Sequence, residues 1–130
     1  MAAAGGKKST YVDDVFSTYL YTGNNAANRS IVNGVDNTKG GLVWFKGRNL
    51  SISNILSDSA SGITKHLSSD TTAAQVSPTY PYISSLQNNG FLLRGGTSSG
   101  GNVSGRDYAS WNFRKAEGFF DIVTYTGTGS

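Results

Sequence analysis

Short apolar runs, each fenced by glycine or asparagine, constrain this chain more than any other feature. Gly41-Leu-Val-Trp-Phe-Lys46 is closed by Gly47, and Gly90-Phe-Leu-Leu-Arg94 opens directly from Asn88-Asn89. Runs this short, bounded by turn formers, have the length of strands and not of helices. Tyr108-Ala-Ser-Trp-Asn-Phe-Arg114 alternates instead. Ala109, Trp111 and Phe113 share one side, and Ser110 and Asn112 the other. A period of two belongs to a strand with one dry side. It predicts that Trp111, like Trp44 in the first run, lies in the core. Turns fall mainly to glycine and asparagine, since the chain has 17 Gly and only 2 Pro. The abundance of Gly, Ser, Thr and Asn weakens helix interiors and suits tight connections between strands.

Along the chain, residues 1–10 are small, polar and positive through Lys7 and Lys8, which reads as a flexible arm. In residues 11–22, Asp13-Asp14 fit a short helical turn before a strand. That strand puts Phe16, Thr18, Leu20 and Thr22 on one face and Val15, Ser17, Tyr19 and Tyr21 on the other. A short strand follows at Arg29-Ser-Ile-Val32. Ile52, Ile55 and Leu56 fit one helical turn or an irregular loop. Residues Ile63 to Ser68 alternate as a strand, and residues 69–82 form a polar connection in which Pro78 and Pro81 flank Tyr80. A Gly/Ser loop spans Gly95 to Gly105. Gly118-Phe-Phe-Asp-Ile-Val-Thr-Tyr125 reads as a last strand, and Gly127 to Ser130 as a linker towards a further domain. Six to eight short strands separated by turn signals predict an all-β chain: a single β-sandwich or jelly-roll-like domain over residues 11–126, with the arm before it and the linker at 127–130.

Catalytic chemistry is poorly provided for. The chain has no cysteine, which removes disulfides and thiol nucleophiles, and its one histidine is His66. A lone histidine supplies neither a metal site nor a triad without partners. Of the acids Asp13, Asp14, Asp36, Asp58, Asp70, Asp107, Glu117 and Asp121, no pair stands out for catalysis, and Asp36, Asp58, Asp70 and Glu117 adjoin Gly, Asn or Ser, where acids make turn hydrogen bonds. The glycine-rich Gly95–Gly101 stretch is followed by Asn102-Val103, where a phosphate loop needs Lys with Ser or Thr. The expectation is no catalytic, cofactor or metal residues, and no enzyme. Net charge is only +3, and the basic residues are scattered apart from Lys7-Lys8 and Arg114-Lys115. A nucleic-acid partner calls for a basic stripe and is not expected. No apolar run approaches the length of a bilayer span, and the first eight residues have no apolar signal core, so synthesis in a cytoplasm without membrane insertion is expected. Tyr80 and Tyr82 stand in a proline-bearing loop, where an aromatic ring either anchors the loop or stacks on a sugar.

Four blocks carry a resemblance: Gly41-Leu-Val-Trp-Phe-Lys-Gly-Arg48, Leu67-Ser-Ser-Asp-Thr-Thr-Ala-Ala74, Asn89-Gly-Phe-Leu-Leu93, and Tyr108-Ala-Ser-Trp-Asn-Phe-Arg-Lys-Ala-Glu-Gly-Phe-Phe-Asp-Ile-Val-Thr-Tyr-Thr-Gly127. In that order they resemble a module of virion and tail-fibre-like proteins of marine bacteriophages, over most of residues 11–130. The resemblance implies a concanavalin-like sandwich in a structural protein of the virion tail, with no catalytic residues to transfer. The scarcity of acids in residues 41–69 argues against a calcium lectin. The fibre reading expects the N-terminal region of a tail fibre, a homotrimer that attaches the fibre to adaptor or nozzle proteins of the tail. Lys7, Lys8, Tyr11, Val12, Phe16 and Tyr19 would serve as the tail-docking or subunit interface. The alternative is a carbohydrate-binding module that touches host cell-surface polysaccharide through Tyr80 and Tyr82.

Overall fold

The structure, a computed structural model, describes residues 10–94 and 100–129. Lys7 and Lys8, the rest of the arm before Thr10, and the first half of the Gly/Ser loop lie outside the described residues. One helical turn, α1 (Val12–Val15), precedes eight strands. These are β1 (Phe16–Thr22), β2 (Arg29–Val32), β3 (Gly41–Gly47), β4 (Ile55–Asp58), β5 (Leu67–Ser68), β6 (Ile83–Gln87), β7 (Gly90–Leu93) and β8 (Asp107–Arg114). The strands form two antiparallel sheets, one ordered β1-β8-β3-β4-β5 and the other β2-β7-β6. The chain is therefore all-β and sandwich-like, as its turn spacing predicts.

The core lies between the sheets. Tyr21, Val43, Phe45, Ile55 and Tyr108 enter from the larger sheet, and Ile31, Ile83, Phe91 and Leu93 from the smaller one. Tyr21 stacks on Tyr108 at 5.1 Å between ring centres, and Phe45 meets Tyr108 edge-on. Each such side chain contributes roughly 1.5–3 kcal/mol through burial. Both sheets need a partner to hide these faces, which is why the alternating pattern folds in two layers.

Polar side chains also cross this interior. On β8 the amide of Asn112 pairs reciprocally with Asn37: Asn37 Nδ2 donates to Asn112 Oδ1 at 2.8 Å, and Asn112 Nδ2 donates to Asn37 Oδ1 at 2.9 Å. Asn33 Nδ2 donates to the same Asn112 oxygen, and Asn37 Nδ2 reaches the Gly90 carbonyl on β7 at 2.7 Å. The network ties β8 of one sheet to β7 of the other. Asn37 and Asn112 are buried, and satisfied amides are the form in which such groups are tolerated there. Gly90 is also needed for close approach: its φ is +149°, and an added Cβ would stand 1.9 Å from the Ile31 carbonyl oxygen on β2.

Several sequence expectations change. The dry side of β8 is reversed. Tyr108, Ser110 and Asn112 face the second sheet, while Trp111 and Phe113 look outward and are only half-buried, as is Trp44 on β3. Phe16, Thr18 and Leu20 share that outer side, as the alternation in β1 predicts. The last predicted strand is not formed. A single bridge joins Ala116 to Phe120, and the chain then runs without strand pairing to Thr128. The cause is topological: β8 is already paired on both sides, by β1 and β3, so the segment following it has no free edge there. Residues 55–58, ambiguous in sequence, form β4. Residues 63–68 contribute only the two-residue β5 and a bridge from His66 to Val76.

Candidate assembly surface

The β1 side of the domain carries most of the predicted interface residues, held by α1 and the strand itself. The Asp14 N–H donates to the Tyr11 carbonyl, and Asp14 Oδ2 accepts from the Tyr11 N–H at 3.3 Å, closing the helical turn. Val15 is then buried and fixes the turn, while Tyr11 and Val12 remain 64% and 68% exposed. Phe16 is half-buried with its ring 4.8 Å from Phe113. Tyr19 and Leu20 stay exposed further along the strand.

The four sheet edges differ. β5 is two residues long, β6 carries a register shift between Ile83 and Ser85, and β2 is four residues long and opens with Arg29. Short strands, bulges and charges are the usual devices that keep an edge from pairing with another chain. β1 has none of them. Its seven residues Phe16–Thr22 carry no charge and no proline, keep perfect register with β8, and have no strand neighbour on the other side among the described residues, where Arg29 Nη1 takes only the Thr22 carbonyl at the strand's end.

Next to this edge lies the outer face of the larger sheet. One row crosses all five strands: Thr18, Trp111, Trp44, Leu56 and Leu67. The two tryptophan rings sit 5.4 Å apart, and Trp44 Nε1 is shielded without a hydrogen-bond partner. Leu20 and Leu67 bound this face at 56% and 42% exposure. The chain after β8 covers one side of it, with Phe120 5.2 Å from Phe113 and Ile122 half-buried. Sequence reasoning missed this surface because it assigned both tryptophans to the core. The signal was present in the neighbours Leu42-Val43 and Trp44-Phe45, which place apolar residues on both sides of one strand.

The two aromatic residues considered for sugar contact separate. Tyr80 is 53% exposed, with the Arg94 guanidinium 5.2 Å over its ring. Tyr82 packs instead against the core, edge-on to Phe45 at 5.4 Å and to His66 at 4.9 Å. Its ring is an anchor for the loop.

Titratable groups are engaged structurally. Asp58 accepts from Ser61 N–H and Oγ at 2.7 and 2.8 Å, and Asp107 accepts from Thr22 Oγ1 at 2.7 Å. Asp70 accepts from the Asn54 N–H, and Asp121 lies 3.5 Å from Lys115 Nζ. The Thr38 N–H holds the Asp36 carboxyl below its ordinary range. Burial lowers the His66 imidazole pKa, and Nδ1 has no hydrogen-bond partner. Burial raises the Tyr21 phenol, assisted by Tyr108 and opposed by Arg29, and its Oη donates to the Gly101 carbonyl at 2.9 Å. Among the described residues no group of three or more His, Cys, Asp or Glu is placed to hold a metal ion. No helix among them is long and apolar enough to cross a membrane.

These features define a β-sandwich-like domain with an uncharged strand edge at its surface. The chain belongs to the family described as a domain of unknown function (DUF7483), which matches residues 11–130. Neither the curated proteins nor the solved structures gave a match.

Proposed function

We propose that this protein is a non-enzymatic structural module of a bacteriophage virion, in the N-terminal region of a tail fibre. The basic arm meets the tail, and the β1 side meets another copy of the chain. The observation that carries an assembly role is the β1 edge: long, regular, uncharged and flanked by exposed Tyr11, Val12, Tyr19 and Leu20. Exposed apolar groups gathered at one place mark interaction surfaces. The bacteriophage setting rests on the resemblance of the four sequence blocks. The test is incorporation into particles. Deletion of residues 1–10 should reduce fibre attachment while leaving the unfolding midpoint unchanged, and normal assembly of that deletion into virions would refute the docking role.

A second reading, contact with host cell-surface polysaccharide, is favoured by one observation. Tyr80 presents an exposed ring backed by Arg94. Tyr80→Ala should then weaken binding to host cells with the fold intact, and unchanged binding would remove it.

A further inference from the structure

We infer that the subunit met by β1 is a second copy of this chain, joined edge to edge by two antiparallel β1 strands into one continuous sheet. This rests on reading the β1 side as an assembly surface and names its partner. Among the described residues three of the four sheet edges are blunted, and β1 is the exception. An unblunted edge is a template for another strand. A two-fold contact places the same patch against itself, so the patch must be self-complementary. β1 meets that condition. Its centre is Tyr19, and antiparallel pairing about that residue sets Tyr19 beside its counterpart, Thr18 beside Leu20, Ser17 beside Tyr21 and Phe16 beside Thr22. No like charges face each other in any of these pairs, and aromatic and β-branched cross-strand pairs are favourable.

Charges beyond the strand ends are also complementary. Asp13 and Asp14 sit in α1, before the start of β1. Arg29 sits at the other end, where its Nη1 donates to the Thr22 carbonyl and its guanidinium lies 5.4 Å over Tyr21. Antiparallel pairing brings the acidic end of one copy to the Arg29 end of the other, twice. A strand from an unrelated protein would need to match this pattern; a second copy does so by symmetry. The contact closes with two copies, in contrast to the three of the fibre reading.

The absence of cysteine permits a direct test on the full chain. Opposed residues in antiparallel strands have Cα atoms about 4.5–5.5 Å apart, within disulfide reach. Tyr19→Cys should therefore oxidise to a covalent dimer. Ser17→Cys should not, because the two Ser17 positions stand four residue steps apart, about 14 Å. Light scattering of the unmodified chain over a concentration series should give twice 13.7 kDa. Tyr19→Lys, which puts two ammonium groups on the axis, should lose the dimer while keeping its circular dichroism spectrum. A monomer, a trimer, or equal cross-linking at positions 17 and 19 would overturn the pairing. A monomer or trimer that still attaches to tails would leave the assembly reading standing, so the two failures are distinguishable.

Discussion

Asn112 should matter more to this fold than any single apolar residue of similar size. Asn112→Ala removes four hydrogen bonds: from Asn33 and Asn37 to its Oδ1, and from its Nδ2 to Asn37 Oδ1 and the Leu42 carbonyl. Asn37 Nδ2 keeps the Gly90 carbonyl, so that donor survives. Asn37 Oδ1 is left buried without a donor, and Asn33 Nδ2 loses its acceptor. Each orphaned group costs about 1–3 kcal/mol, and the space left by the amide adds to it. The expected loss is therefore about 2–5 kcal/mol, a large part of the roughly 5–15 kcal/mol that holds a domain together. Urea unfolding followed by fluorescence of Trp44 and Trp111 measures it, as both report on the larger sheet. The double variant Asn37→Ala, Asn112→Ala removes both ends of the reciprocal pair and orphans less than the singles summed. It should cost less than their sum by about 1 kcal/mol or more. A single loss under about 0.5 kcal/mol, or strict additivity, would refute the view that these amides brace the two sheets.

Other consequences follow from the same geometry. Gly90→Ala forces a Cβ into the Ile31 carbonyl at a positive φ, and should lower the melting temperature by about 5–10 °C in a calorimetric scan. Tyr82→Ala should cost about 2–4 kcal/mol in urea unfolding because its ring supports Phe45 and His66. Tyr80→Ala should stay within about 1 kcal/mol, losing only the surface contact with Arg94. His66 has a lowered pKa in the folded state. The unfolded chain therefore takes up the proton more readily, and stability should decline as pH falls below the ordinary histidine value of about 6.5. His66→Gln should flatten unfolding free energies measured between pH 7 and 5, and an unchanged slope would place the titration elsewhere.

Much of the strand pattern was legible because turn residues bracket it. β2, β3, β7 and β8 fall where Gly, Asn and alternation put them, and the helical turn before β1 falls at Asp13-Asp14. β6 was not assigned, because Ile-Ser-Ser-Leu-Gln has only two apolar residues and borrows its burial from Phe91 and Leu93 across the ladder. β4 was ambiguous for a similar reason: four residues show too little of any period. The segment after β8 was over-read. Phe-Asp-Ile-Val-Thr-Tyr has the composition of a strand, yet strand formation needs a free edge, and none adjoins it on β8. The residues of the proposed interface, Tyr11, Val12, Phe16 and Tyr19, were visible as aromatic and apolar positions in residues 11–22, but the case for them depends on comparing sheet edges, which only the topology provides.

The reversed side of β8 shows where hydrophobic alternation stops being informative. Both faces of this strand bear large apolar groups: Tyr108 inward, Trp111 and Phe113 outward. A slip of one residue exchanges the faces, and by hydrophobicity alone the slipped strand would do better, burying Trp111 and Phe113 in exchange for Tyr108. What selects the observed register is paired chemistry on the inner side. The Tyr21–Tyr108 stack needs both rings inside, and Asn112 needs Asn37 and Asn33, which arrive from the segment between β2 and β3. Slipping β8 would strand Asn37 without its partner and push Asn112 outward. The buried amides thus specify register where apolar content cannot. The same choice turns Trp111 and Phe113 onto the outer face, beside Trp44 of β3 and close to β1, so the polar brace inside the sandwich also sets most of the aromatic surface outside it.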